Sequence, residues 1–271
     1  MAPLARLGGI AAAVAVDGGW IEVETVGRGA PVILLHGWTL DRRIWQPQVA
    51  ALGGRFRLIA YDRRGFGRSS APPDLSREVD DLLALIEACG ADRPALVGMS
   101  QGGRVALAFA ARHPDRLGAL VLQGTPLSGV DPDPGAEEGV PIAAMAALAR
   151  QGRLRAMLDL WRDHPLARIT DPESQPLLDA ILADYQARDL LAPGTLLEVL
   201  PDALRSIPAP TLVITGDGDT LWRRKVADVV AGHVPGAARL SIPAAGHLCN
   251  LCRPDAFNRA IADFLTAKYS A

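Results

Sequence analysis

The chain has 271 residues, 49% of them hydrophobic, and a formal net charge of -2, enough to bury the core of one sizeable globular domain with an inserted subdomain. A nearly balanced charge with no block of one sign gives no footing for a nucleic-acid or membrane-surface partner and points to a small molecule instead. Cys89, Cys249 and Cys252 are too few for a disulfide framework and suit a reducing compartment, the cytoplasm.

Arg6 followed by an apolar stretch gives the start a resemblance to a signal peptide. Glycines interrupt that stretch, however, and it flows into an alternating run, so we read residues 11–16 and 20–26 as a β-hairpin turning at Asp17-Gly18-Gly19. No segment reaches the roughly 18 apolar residues that span a bilayer.

From residue 31 onward, continuous apolar runs at 31–37, 57–62, 94–99, 117–124 and 210–216 read as strands buried on both faces, and the run 238–243 as the last strand. Helical patterns at 45–52, 76–89 and 102–113 lie between them, the last closed by Pro114. This βαβ series predicts an α/β fold with a mostly parallel twisted sheet flanked by helices. The alternation lapses between about Leu127 and Arg205, where 142–164 and 176–192 carry helical spacing after the Pro/Gly-rich stretch 130–141. The expected organisation is a core from 1–126, a helical insertion over 127–205 and the rest of the core over 206–271.

Gly98-Met99-Ser100-Gln101-Gly102 joins a strand to a helix, and there its G-x-S-x-G pattern carries meaning. A nucleophile at the tip of so tight a turn sits in strained backbone, where side chains two positions either side would collide. Gly98 and Gly102 remove the collisions, and Gly103 lets the helix approach the sheet. The Ser100 hydroxyl then points out from the carboxyl ends of the strands, beside the partial positive charge of a helix start.

A serine nucleophile needs a base, and His247, in the loop after the strand 238–243, is the best placed of five histidines. His113 closes a helix, His164 lies in the insertion, His233 follows a helical stretch, and His36 reads as a structural histidine orienting its loop. The orienting acid is expected after the strand 210–216, where Asp217 and Asp219 both stand. Asp219 is favoured because its extra reach brings a carboxylate over the sheet edge, leaving Asp217 as a turn residue. The Cys249-x-x-Cys252 pair, with no second pair, reads as two small buried thiols rather than a metal or redox site.

The order Ser100, Asp219, His247, together with "HGWTLDRRIW" (36–45), "DRRGFGRSS" (62–70), "PTLVITGDGD" (210–219) and "AAGH" (244–247), resembles the α/β-hydrolase superfamily over nearly the whole chain. The resemblance implies a capped serine hydrolase. Its catalytic triad is Ser100, Asp219 and His247, and its oxyanion hole is formed by the backbone amides of Trp38 and Gln101. The cap falls between the sixth and seventh strands and contributes Trp161 and Met157 to a substrate pocket shared with Trp38. The 62–69 segment is structural in such proteins. A serine at the elbow argues against the dehalogenases and epoxide hydrolases of this fold, which use aspartate there.

The expected reaction is cleavage of a carboxylic ester or lactone through an acyl-enzyme, with no metal and no organic cofactor. Carbon–carbon bond hydrolases and perhydrolases of the same fold share the triad, and a ligand receptor can retain it. Among the arginines of the insertion, Arg150, Arg153, Arg155, Arg162 and Arg168, most are expected on its wet face, with one a candidate to receive a substrate carboxylate. The sequence leaves oligomeric state open.

Overall fold

The computed structural model describes residues 7–132 and 139–269. Eight strands form one sheet: β1 (Ile10–Val16), β2 (Gly19–Val26), β3 (Pro31–Leu35), β4 (Arg57–Tyr61), β5 (Ala95–Met99), β6 (Ala119–Gln123), β7 (Thr211–Gly216) and β8 (Ala238–Ile242). Their spatial order is β1-β2-β4-β3-β5-β6-β7-β8; β2 runs antiparallel to β1 and β4, and all later pairs are parallel. The order reverses between β3 and β5, so the loops after these two strands diverge and open a crevice at the carboxyl edge.

The helices are α1 (Gln46–Leu52), α2 (Glu78–Ala88), α3 (Gln101–Arg112), α4 (Ile142–Arg150), α5 (Leu154–Arg162), α6 (Gln175–Asp184), α7 (Arg188–Leu191), α8 (Leu221–His233), α9 (Cys249–Cys252) and α10 (Pro254–Lys268). Alternate side chains of each central strand enter cores on opposite faces. Val32 and Leu34 of β3 pack with Phe257, Ile261 and Leu265 of α10. Ile33 and Leu35 pack with Leu82 of α2, Val105 and Phe109 of α3, and Val226 of α8. Both faces being covered is why these strands read as unbroken apolar runs.

The predicted hairpin forms, with Gly18 at φ 80° making the turn. β1 is an edge strand, exposed along most of its length. Arg6 lies outside the described residues, as does 133–138 within the Pro/Gly-rich stretch. No helix among the described residues is long and apolar enough to cross a membrane.

Between β6 and β7 the described residues form α4 to α7, and each of the two stretches with helical spacing is divided. The first breaks into α4 and α5 at Gly152, with φ 70°, and the second into α6 and α7 at Ala187, with φ 54°. A left-handed residue reverses the local path and ends a helix. The apolar periodicity spans each break because both pieces turn the same kind of face inward. Arg43 pairs with Asp184 at 3.0 Å, and Arg188 donates to the backbone oxygens of Ser69 and Gly67, tying the insertion to loops of the core.

Candidate active site

β5 ends at Met99, and the next residue, Ser100, adopts φ 49°, ψ -119° before α3 begins. That left-handed, strained conformation lifts the serine out of the turn. A Cβ on Gly98 would sit 2.7 Å from the Cα of Gly103, and one on Gly102 would sit 2.4 Å from the His36 carbonyl oxygen. Gly98 therefore serves the elbow itself, whereas Gly102 lets α3 press on the end of β3. The Ser100 N–H donates to the Gln123 carbonyl at 2.7 Å, anchoring the elbow to β6.

His247 follows β8, and its Nδ1 donates to Asp219, 3.0 Å from Oδ2 and 3.2 Å from Oδ1. A carboxylate only accepts, so Nδ1 carries the proton and Nε2 presents its lone pair. Asp219, in the loop after β7, faces the histidine. Asp217 instead accepts a bond from the Ala245 N–H at 3.4 Å and shapes the turn. Gly124, at φ 53°, leaves the space these two groups occupy: a Cβ there would lie 2.6 Å from His247 Cε1 and 3.2 Å from Asp219 Oδ2. The Gln123 amide donates at 3.0 Å both to the His247 carbonyl and to Asn250 Oδ1.

The loop after β3 closes against the elbow, since a Cβ on Gly37 would touch Ser100 Cβ at 3.4 Å. Thr39 in this loop has φ 62°, and Trp161 of α5 donates to its hydroxyl at 2.9 Å. Trp38 meets Trp161 edge to face with centroids 4.9 Å apart, and its indole N–H donates to Asp189. The Tyr185 hydroxyl donates to the other Asp189 oxygen at 2.6 Å.

His36 is wholly buried; its Nδ1 donates to the Gly37 carbonyl at 2.8 Å and its Nε2 accepts from the Arg63 N–H at 2.9 Å. Burial, with Arg63 nearby, holds its pKa well below the usual histidine value, so it stays neutral and orients the loop. Arg63 is bidentate to Glu78, at 2.6 and 2.7 Å, and also donates to the His36 carbonyl and to Gln101 Oε1 at 2.9 Å. The 62–69 segment thus steadies both loops beside Ser100. Its other anchor is Asp62, which receives Arg42 and the Arg68 N–H; burial nonetheless pushes its carboxyl up to about 6.

A cavity of about 370 Å³ lies over the elbow. Ser100, Gln101, Trp38 and His247 share its wall with Trp161, Leu166, Ala167 and Leu178 from the insertion. Met157 is not in that wall; it is fully buried in the packing of the insertion against the core. None of Arg150, Arg153, Arg155, Arg162 and Arg168 reaches the cavity. Arg150, Arg153, Arg155 and Arg168 are exposed, and Arg162 lies near Asp159 and Asp179, at 3.7 and 3.6 Å. The other histidines serve elsewhere: His113 packs on Phe109, His164 stacks on Trp161 at 5.2 Å, and His233 Nδ1 donates to the Val229 carbonyl. Cys249 and Cys252 are buried, unpaired thiols on α9, and burial pushes the Cys249 pKa well up.

Three groups escape sequence reasoning. Gln123 and Asn250 carry no motif, and Arg104 hides inside the elbow helix; the one available signal was a polar residue ending an otherwise apolar strand at Gln123.

This fold and site define the class. The profile of the alpha/beta hydrolase family matches residues 32–260, and the chain belongs to that family. It is 30% identical over 272 residues to a putative carbamate hydrolase, RutD, of Caulobacter sp. strain K31, covering 93% of this chain and 97% of that one. Among solved structures it resembles a thermophilic esterase from Thermogutta terrifontis, with TM-score 0.79 and 27% identity over 96% of this chain and 100% of the other. It also resembles the enol-lactonase from Burkholderia xenovorans LB400, with TM-score 0.77 and 27% identity over 94% and 100%.

Proposed function

We propose that the protein is a serine hydrolase that cleaves a carboxylic ester or a lactone through an acyl-enzyme, with Ser100, His247 and Asp219 as its triad. The observation that carries this is the pairing of Asp219 with Nδ1 of His247, whose ring lines the same cavity as the strained Ser100 elbow. Ser100 Oγ attacks the carbonyl while His247 Nε2 takes its proton, and Asp219 holds the imidazole in the productive tautomer. The tetrahedral oxyanion is received by the backbone amides of Trp38 and Gln101, one from each loop that meets at the elbow; each such donor is worth about 3 kcal/mol in comparable sites. Collapse passes the proton from His247 to the leaving alcohol. Water then enters and its oxygen bonds to the acyl carbon as His247 takes its proton; the bond to Ser100 Oγ breaks, His247 returns the proton to Oγ, and the acid leaves.

The insertion acts as the cap, with Trp161 forming part of the substrate wall. A volume of about 370 Å³ suits a small to medium ester, and the likeness to an esterase and to an enol-lactonase supports both substrate types. The reaction needs no metal or cofactor.

Acid release in a pH-stat from short-chain p-nitrophenyl esters and from γ- and δ-lactones tests this reading, with wild type compared against Ser100→Ala. Turnover that vanishes in the variant is expected. Turnover that survives at the wild-type rate, or no acid from any ester or lactone, overturns it.

A further inference from the structure

Besides the catalytic groups, two guanidinium side chains line the cavity, Arg104 and Arg223. No Asp or Glu among the described residues shares that wall. Arg104 stands one turn into α3, its N–H donating to the Ser100 carbonyl at 3.1 Å, on the same helix face as the nucleophile. Its Nε is buried with no hydrogen-bond partner among the described residues. Burial lowers its pKa, and the acid acting on it is Glu198, whose side chain is exposed. Arg223 lies in the first turn of α8, four residues beyond Asp219, with its guanidinium 4.5 Å from the centre of the Trp222 ring. The two cations thus reach the cavity from α3 and α8, the helices that follow the nucleophile and the acid.

The surfaces between them are apolar, formed by Leu40, Met99, Val140, Leu166 and Leu178 among others. At Arg104 a positive charge is partly held away from water with its Nε unpartnered, which is costly, and an arriving anion with matching geometry removes that cost. The planar guanidinium offers paired donors to a carboxylate, which a lysine would not. With Arg150, Arg153, Arg155 and Arg168 turned to solvent, Arg162 beside Asp179 and Arg188 held by Ser69 and Gly67, the charge in this site comes from the core.

We propose that the substrate carries a carboxylate remote from its scissile ester, received by Arg104 with Arg223 adding positive charge on the same wall. This rests on the ester-hydrolase reading and narrows it to half-esters of dicarboxylic acids and lactones bearing a free carboxylate. The aliphatic span of the substrate lies along the apolar wall while its two ends are held by Ser100 and Arg104.

The test compares kcat/KM for monomethyl succinate, glutarate and adipate with that for the corresponding dimethyl esters. Wild type is expected to prefer the half-ester by about tenfold or more at its best chain length. Arg104→Gln should remove that preference mainly through KM, and Arg104→Lys should restore part of it. A second measurement is independent of turnover: quenching of tryptophan fluorescence in Ser100→Ala, where the half-ester should bind more tightly than the diester and Arg104→Gln should equalise them. Equal binding of both compounds to Ser100→Ala overturns the proposal, as does a preference that survives Arg104→Gln. A preference lost only in Arg223→Gln overturns the assignment to Arg104. If wild type turns over neither ester yet Ser100→Ala still selects the half-ester, the hydrolase reading falls and the carboxylate site stands.

Discussion

At Asp219 and Asp217, two carboxylates a residue apart differ by where they end, and with that differ the proposed catalytic part of one and the turn-making of the other. Asp219 holds the Nδ1 proton of His247, whereas Asp217 holds a backbone amide of the loop carrying that histidine. Asp219→Asn should lower kcat by about 10⁴ by favouring the wrong tautomer, while Asp217→Asn should stay within a few-fold; steady-state kinetics on one ester separates them. Gly124→Ala is a sharper probe because the new Cβ would intrude 2.6 Å from His247 Cε1. A displacement of that size should cost about a hundredfold in kcat, with His247 moved rather than removed. The loss should appear in kinetics even where the melting temperature falls little. The positions of the serine, histidine and acid segments of the proposed triad were legible because each stands just past a strand, where the main chain must turn. Gly124 was not, since its importance lies in what passes over it from two distant loops.

At the scale of elements, the loop after β3, to which the proposal gives an oxyanion donor, is held by side chains from between β6 and β7. Trp161 donates to Thr39, Asp189 accepts from Trp38, and the two indoles meet edge to face. Thr39 sits at positive φ without being glycine, so its conformation depends on these neighbours. Trp161→Phe keeps most of the ring and deletes the donor. It should cost about 1 kcal/mol of stability and lower kcat by a few-fold, read by denaturant unfolding and by kinetics. The insertion itself was visible as a gap in the βαβ alternation, and its helices as periodic apolar spacing. Its division at Gly152 and Ala187 was not visible, nor was the inward or outward aim of its arginines, because periodicity reports which face is apolar and not what that face meets.

Across the whole molecule, His36 is a neutral histidine sealed beneath the site, and it ties stability to pH. Its folded pKa lies well below the ordinary 6.5, so below that pH the unfolded chain binds a proton that the folded chain refuses. Its contribution is therefore lost as pH falls, by about 1 kcal/mol between pH 6.5 and 5.5. Asp62 has the opposite sign: with its folded pKa raised to about 6, protonation below that pH favours the folded state. Urea unfolding at both pH values for wild type and His36→Gln isolates the histidine, and the wild type should lose that amount beyond what the variant loses. An equal loss in both would show that His36 titrates freely in the fold.

The sequence by itself determined the sheet, because strands buried on both faces must be continuously apolar, and it determined the elbow, because only glycines fit so tight a turn. The order of motifs along the chain then placed Ser100, Asp219 and His247 at one sheet edge, since parallel strands deliver every following loop to the same side. What only the tertiary structure decided is the character of the cavity. Arg104, Arg223, Gln123 and Asp189 come from separate helices and a strand end, and none has a spacing that announces its neighbours. Whether an arginine faces solvent or the cavity depends on the packing of elements far apart in the chain.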